Sequence, residues 1–137
     1  MTGIQFGTDG WRATLDEFTV PRVRKVGQAV ASYLDDEGIE GPVAVGYDAR
    51  ETSPEFADEL ADVLTANGRD VLLPERDVPT PTVALAIVER DLAGAVVVTA
   101  SHNPPEYNGI KFIPDDGAAA LPDVMNGIAD RLAEPVD

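Results

Sequence analysis

The sequence predicts an α/β domain: three α/β/α layers around a mixed, mostly parallel sheet of about four main strands, with an antiparallel edge strand. Two observations carry this prediction. Short β-branched segments alternate with amphipathic segments along the chain, a pattern typical of parallel strands joined by right-handed helical crossovers. The 137 residues, of which 44% are hydrophobic, suffice for one domain with its own core.

The first part of the chain predicts a strand, a loop and a long helix. An apolar segment at 3–7 alternates as a strand does, and the glycines and aspartate of 7–12 favour a loop after it. Apolar residues then recur at helical spacing over 20–34. Thr19 is the predicted N-cap of this helix, and Gly38 is its predicted stop.

Two further strand–helix units follow. The apolar segment 42–47 predicts a short buried strand. Thr52 and Glu55 have the spacing of a capping box, which predicts a second helix up to residue 67. Residues 71–73 predict a third strand, and Thr80 begins a third helix.

The last part predicts two neighbouring strands and a helix. The β-branched run 94–99 has no polar alternation, which suits a strand covered on both faces. The loop before the next strand, 109–113, is too short for a crossover helix, so that strand should run antiparallel at the sheet edge. A last helix is predicted from Pro122 to Leu132. No linker or repeat divides the chain, so 1–137 is predicted as a single domain.

The chain is acidic throughout. It has 25 aspartate and glutamate residues against 10 lysine and arginine residues, a net charge of −15, and its lysines are Lys25 and Lys111. Binding of nucleic acid needs basic clusters, so this composition argues against it. An acidic surface poor in lysine is expected of a halophilic protein, because about 1 M salt shortens the Debye length to roughly 3 Å. A merely acidic protein from an ordinary cytoplasm is the alternative.

The sequence also predicts a cytoplasmic location without a membrane partner. The first residues lack the charged segment and apolar run of a secretion signal, and no stretch approaches the length of a membrane span. The chain has no cysteine, which excludes disulfides, thiolate metal sites and cysteine nucleophiles and fits a reducing cytosol.

A polar segment follows the buried strand 94–99, at the sheet edge where open α/β sheets bind ligands. It contains Ser101, His102 and Asn103, and two prolines stiffen its backbone before Lys111. From the residues alone, two interpretations are equally good: a loop with a reactive serine, or a polar connection that happens to contain a serine.

Three motifs resemble those of the α-D-phosphohexomutases, the superfamily of phosphoglucomutases and phosphomannomutases. Thr-Ala-Ser-His-Asn-Pro at 99–104, followed by Tyr-Asn-Gly and Lys111, resembles the active-site serine loop. Residues 6–12 resemble the N-terminal loop, and Asp-Ala-Arg at 48–50 with Ser53 resembles the Asp-x-Arg element. The resemblance covers essentially the whole chain and implies domain I of a four-domain enzyme, with domains II to IV absent from this sequence.

The resemblance implies a phosphoserine enzyme. Ser101 would give a phosphoryl group to a hexose phosphate and take one back from the other end of a bisphosphorylated sugar, moving phosphate between C1 and C6 of glucose or mannose phosphate. Lys111, Arg12 and His102 would be catalytic. Ala13 replaces the glycine of many relatives, which favours a phosphoglucomutase or phosphomannomutase over a phosphoglucosamine mutase.

The same resemblance implies the ligands. Thr8 and Asn103 would bind phosphate, and Ser101 would bind Mg²⁺ through its phosphate, with the remaining metal ligands supplied by a missing domain. Glucose or mannose 1,6-bisphosphate would be the activator. The partners would be hexose phosphates and the remaining domains of the same enzyme, and this chain alone would be inactive.

Electrostatics supports these roles independently. A phosphoserine and a sugar phosphate add further negative charge to a chain already at −15, so long-range attraction cannot bring them together. At about 4 Å, a cation offsets a negative charge by roughly 4 kcal/mol in a protein but only about 1 kcal/mol in water. Arg12 offers a planar fork for phosphate oxygens, and Lys111 offers a compact charge able to exchange protons.

Each assignment has an alternative. His102 could only orient the loop, and Arg50 is expected to be a structural ion-pair partner. Residues 115–117 resemble a fragment of a calcium loop but lack its ligand pattern. A serine hydrolase is excluded because Gly-x-Ser-x-Gly is absent. The chain as a whole could be a noncatalytic phosphate-binding or interaction module that reuses the fold, and an isolated domain I is expected to expose apolar surface and self-associate.

Overall fold

A computed structural model describes residues 10–100, 103–118 and 120–135. Within these ranges the elements alternate as predicted and form the three-layer α/β/α fold. Their order is β1 (Trp11–Thr14), α1 (Val20–Asp36), β2 (Val43–Tyr47), α2 (Ser53–Ala66), β3 (Val71–Leu72), α3 (Thr80–Arg90), β4 (Gly94–Val98), β5 (Tyr107–Pro114) and α4 (Pro122–Ala129).

The described strands form one mixed sheet in the order β1-β5-β4-β2-β3. Strands β4, β2 and β3 are parallel, and β5 runs antiparallel to both β4 and β1. The antiparallel direction of β5 is confirmed. Its predicted place at the sheet edge is wrong, because β1 pairs with its outer side and forms the edge. Residues 11–14 form that strand, so the loop predicted at 7–12 is wrong at Trp11 and Arg12. The strand predicted at 3–7 lies outside the described residues.

The starts and ends of the helices differ in detail from the sequence predictions. Thr19 and Thr52 occupy the N-cap positions of α1 and α2, yet neither makes a side-chain cap bond within the described residues. The Thr52 hydroxyl instead accepts a hydrogen bond from Asn108, so the capping-box prediction is wrong. Helix α4 ends at Ala129, before the predicted Leu132.

Two cores lie on opposite faces of the sheet, because strand side chains alternate between faces. Val45 and Val96 join α1, α2 and α4 in the larger core. On the other face, Ala95 and Val97 pack with α3 in a smaller core. On this face, helix α3 packs on β2 and β4. The part of the face formed by β5 and β1 therefore lies to one side of α3. The helices in the described ranges are too short or too polar to cross a bilayer.

Candidate functional site

The carboxyl end of β4 leads directly into the serine segment. Thr99 and Ala100, which follow the strand, are buried, and the Thr99 amide donates to the Gly109 carbonyl at 2.8 Å. Both ends of the intervening loop are therefore attached to paired strands. Ser101 and His102 lie outside the described residues, as does Thr8, and the description resumes at Asn103.

Arg12 reaches this loop from β1. Its neighbour Trp11 packs in the larger core, so Arg12 points to the opposite face of the sheet. The side chain crosses above Gly109, where an added Cβ would lie 2.9 Å from the Arg12 Cγ. Its guanidinium Nη1 then donates to the Asn103 Oδ1 at 3.3 Å. The guanidinium therefore lies beside the segment that contains Ser101.

Lys111 lies on the same face as Arg12. Ile110 and Phe112, on either side of it in β5, pack in the larger core, so the Lys111 side chain points the other way. It lines a pocket of about 210 Å³ that extends to the first turn of α3. Within the described residues no carboxylate pairs with its ammonium, whereas Lys25 pairs with Glu134 at 3.3 Å. In a chain this acidic, such a lysine supplies positive charge to whatever enters the pocket.

The Asp-x-Arg element lies on the other side of the serine loop. Arg50 Nε pairs with Asp48 Oδ2 at 3.2 Å, which is the expected structural ion pair. The rest of its guanidinium donates to backbone carbonyls of the loop: to Asn103 at 2.6 Å, to Pro104 at 2.8 Å and to Tyr107 at 3.1 Å. Arg50 is thus used to hold the backbone.

Asn108 connects the start of α2 to the start of β5, a role that the sequence analysis did not identify. The side chain is completely buried. Its Nδ2 donates to Thr52 Oγ1 at 2.9 Å and to Ser53 Oγ at 3.1 Å, and its Oδ1 accepts from the Gly109 amide at 2.8 Å. Its only sequence signal was its place in the Tyr-Asn-Gly motif, because hydrogen-bond partners this distant leave no local pattern.

The described part of the chain has no cluster of three carboxylate or imidazole side chains that could hold a metal ion. Asp48 accepts hydrogen bonds from Ser53 Oγ at 2.6 Å and from the Arg50 amide at 3.1 Å, in addition to its ion pair. Asp116 accepts the Ala118 amide at 3.0 Å in a tight turn. Both carboxylates therefore serve local structure.

Curated relatives match the chain over most of its length. The phosphoglucomutase of Staphylococcus saprophyticus is 33% identical over 94% of this chain, which covers 24% of that protein. A "Probable phosphoglucosamine mutase" of Methanopyrus kandleri is 41% identical over 88% of this chain, which covers 26% of it. The chain thus spans about a quarter of these relatives. Because they include both kinds of enzyme, the preference drawn from Ala13 stays a prediction; that side chain packs against the core rather than facing the site.

Solved structures and a family pattern agree with these relatives. A crystal structure described as a "putative phosphomannomutase" from Thermus thermophilus superimposes with a TM-score of 0.92 at 34% identity, covering 98% of this chain and 31% of that one. The pattern described as "Phosphoglucomutase/phosphomannomutase, alpha/beta/alpha domain I" matches residues 3–136. The chain therefore belongs to the phosphoglucomutase/phosphomannomutase family, and the part of the family that it matches is the α/β/α domain I.

Proposed function

We propose that this chain is the phosphoserine-bearing domain of a hexose-phosphate mutase, with Ser101 as the residue that carries the phosphoryl group. The observation that supports this most is the placement of two cations. Arg12 and Lys111 come from different strands of an acidic chain, yet they share one face of the sheet. Arg12 contacts Asn103, two residues after Ser101.

The first half-reaction transfers the phosphoryl group to the sugar. The bond between phosphorus and the Ser101 oxygen breaks, and a bond to a hydroxyl of the hexose phosphate forms. Lys111 takes the proton of that hydroxyl as an uncharged amine and becomes the ammonium, and protonated His102, next to Ser101 in the chain, gives a proton to the Ser101 oxygen. No proton is gained or lost overall. The second half-reaction runs in reverse from the other end of the bisphosphorylated sugar, moving phosphate between C1 and C6.

The remaining residues are proposed to contact the phosphoryl and phosphate groups. The guanidinium of Arg12 supplies paired donors to the phosphoryl oxygens, where negative charge is greatest during transfer. Thr8 and Asn103 are proposed to donate hydrogen bonds to phosphate. Donors already in place lower the barrier because they need no reorganisation during the reaction.

Magnesium is proposed only as an ion that would bind the phosphate on Ser101. The described residues contain no cluster of three carboxylate or imidazole side chains. The other ligands of the ion are proposed to come from a further domain of the enzyme, as the family resemblance implies. When bound, the ion would neutralise negative charge on the phosphoryl group. Glucose or mannose 1,6-bisphosphate is proposed as the activator, because it can place a phosphoryl group on an unmodified Ser101.

We also propose the substrates, the further domains and the salt conditions that this enzyme requires. Its substrates are glucose or mannose phosphates, and turnover requires further domains, so the 137-residue chain alone is expected to be inactive. The protein is proposed to act in a cytoplasm of high salt content. Exposed apolar side chains on α3, Leu85 and Val88, are each 56% accessible and could support self-association of the isolated domain.

The experiment compares Ser101→Ala with Ser32→Ala in the product of the complete gene. Ser32 lies on α1 and contacts Gln28, away from the loop. We expect Ser101→Ala to abolish steady-state mutase turnover and incorporation of phosphate from glucose 1,6-bisphosphate, while Ser32→Ala retains both. Turnover by the Ser101 variant would contradict the proposal. Binding of sugar phosphates by the parent protein without phosphorylation would favour the noncatalytic module.

A further inference from the structure

The backbone of the serine loop depends on one side chain of a different strand–helix unit. Arg50 donates to the carbonyls of Asn103, Pro104 and Tyr107 at distances between 2.6 and 3.1 Å. Together with the Nε–Asp48 pair, these bonds engage both N–H groups of Nη1, one of Nη2 and the Nε–H. The guanidinium is therefore committed to the loop backbone.

Asp48 holds Arg50 in this orientation. Its carboxylate accepts from the Arg50 side chain at 3.2 Å, from the Arg50 amide at 3.1 Å and from Ser53 Oγ at 2.6 Å. The Asp48 amide donates to the Val98 carbonyl at 3.1 Å, so the backbone that carries this carboxylate is attached to the end of β4. With 15% of the Arg50 side chain and 27% of the Asp48 side chain accessible, the pair is largely shielded from water.

Asn103 links this pair to the proposed site. Its carbonyl accepts from Arg50, and its side-chain oxygen accepts from Arg12 on the opposite side of the loop. A shift of the loop would therefore change the position of Ser101 relative to Arg12. A lysine at position 50 could not replace the guanidinium, because a compact ammonium cannot span several separated acceptors.

We propose that Arg50, oriented by Asp48, is a positioning residue that fixes the backbone of residues 103–107, the part of the serine loop that Arg12 contacts through Asn103. This inference rests on the proposed function. The role assigned to Arg50 is carried by its bonds to the backbone carbonyls of the loop. Misplacing a reacting group by about 1 Å can lower a rate by roughly 100-fold, so removal of Arg50 should affect kcat strongly.

The kinetic test compares Arg50→Ala, Arg50→Lys and Asp48→Asn with Arg69→Ala in the complete enzyme. Arg69 is a matched control, because it is 9% accessible and bonds a carboxylate, Asp35, and a carbonyl, Gly41, at the other end of the sheet. We expect Arg50→Ala to lower kcat by about 100-fold with little change in KM. Arg50→Lys should recover little of this loss, Asp48→Asn should lose less, and added guanidinium ion at non-denaturing concentration should partly restore Arg50→Ala. Arg69→Ala should keep kcat even where its melting temperature falls.

Amide hydrogen exchange on this chain tests the positioning role separately from catalysis. The amides of Asn103 and of residues 106–109 should exchange faster in Arg50→Ala, or in Arg50→Lys if the alanine variant does not fold. In Arg69→Ala the same amides should keep the parent rates. Unchanged exchange of the loop would overturn the inference, and so would an unchanged kcat in an active mutase. If the parent never takes phosphate on Ser101, the proposed function fails, and the exchange rates alone decide the positioning role.

Discussion

Replacing Asn108 with alanine should destabilise the chain more than the loss of any other amide of similar bonding. The side chain is 0% accessible and makes three hydrogen bonds at 2.8 to 3.1 Å. Its removal takes the side-chain acceptor from the buried Gly109 amide, and it takes a donor from Ser53, whose hydroxyl still donates to Asp48. At roughly 1–3 kcal/mol for a buried group that loses its partner, and less for a hydroxyl that keeps one, we expect a loss of about 3 kcal/mol.

Asn67→Ala provides the control. Asn67 also takes part in three hydrogen bonds, two with Gln28 and one to the Val63 carbonyl, but it is only half-buried at the end of α2. Water can replace part of these bonds, so we expect a loss of about 1 kcal/mol. Urea unfolding followed by the fluorescence of Trp11, the single tryptophan, measures both variants. Equal losses, or a smaller loss for Asn108→Ala, would refute this account of the buried network.

Three further predictions concern packing, pH and salt. Gly109→Ala should lower the free energy of unfolding by about 3 kcal/mol, because the added Cβ would lie 2.7 Å from two carbonyl oxygens and 2.9 Å from Arg12 Cγ. Thermal unfolding should show a larger loss of stability than for Gly46→Ala, whose added Cβ would clash with a side chain. An equal loss would contradict this reasoning. Burial, followed by the charge of Glu37, raises the pKa of Tyr33. Stability from this group is therefore complete below its unfolded pKa near 10 and is lost as pH rises through the higher folded pKa, so alkaline urea titrations should show a decline that Tyr33→Phe lacks. The melting temperature should rise between low and molar salt, because screening weakens repulsion within a chain of charge −15, and a flat response would exclude the halophilic interpretation.

The sequence predicted the alternation of strands and helices well but did not predict strand β1. Local periodicity determines where helices such as α1 lie, because an amphipathic face is visible within a few turns. The first half of β1 was predicted as part of the loop 7–12 because the neighbouring glycines favour turns. Its partner strand lies far along the chain, with Arg12 opposite Gly109. That pairing also explains why β5 is not at the edge of the sheet.

The candidate site divides in the same way. Arg12 and Lys111 could be named from motifs, and the structure places both on one face of the sheet, with Arg12 in contact with Asn103 of the serine loop. The acceptors of Arg50 are backbone carbonyls, which carry no signature in a sequence. The apparent capping box at Thr52 misled for a related reason, since its hydroxyl bonds to Asn108, which lies far away in the chain.

The most direct test of the account is mass spectrometry of the complete gene product, intact and after proteolysis, before and after incubation with glucose 1,6-bisphosphate. The account predicts a gain of one phosphoryl group per chain, located on Ser101 and lost again when a hexose monophosphate is added. A protein that takes up no phosphate, or carries it on another residue, would contradict the central claim.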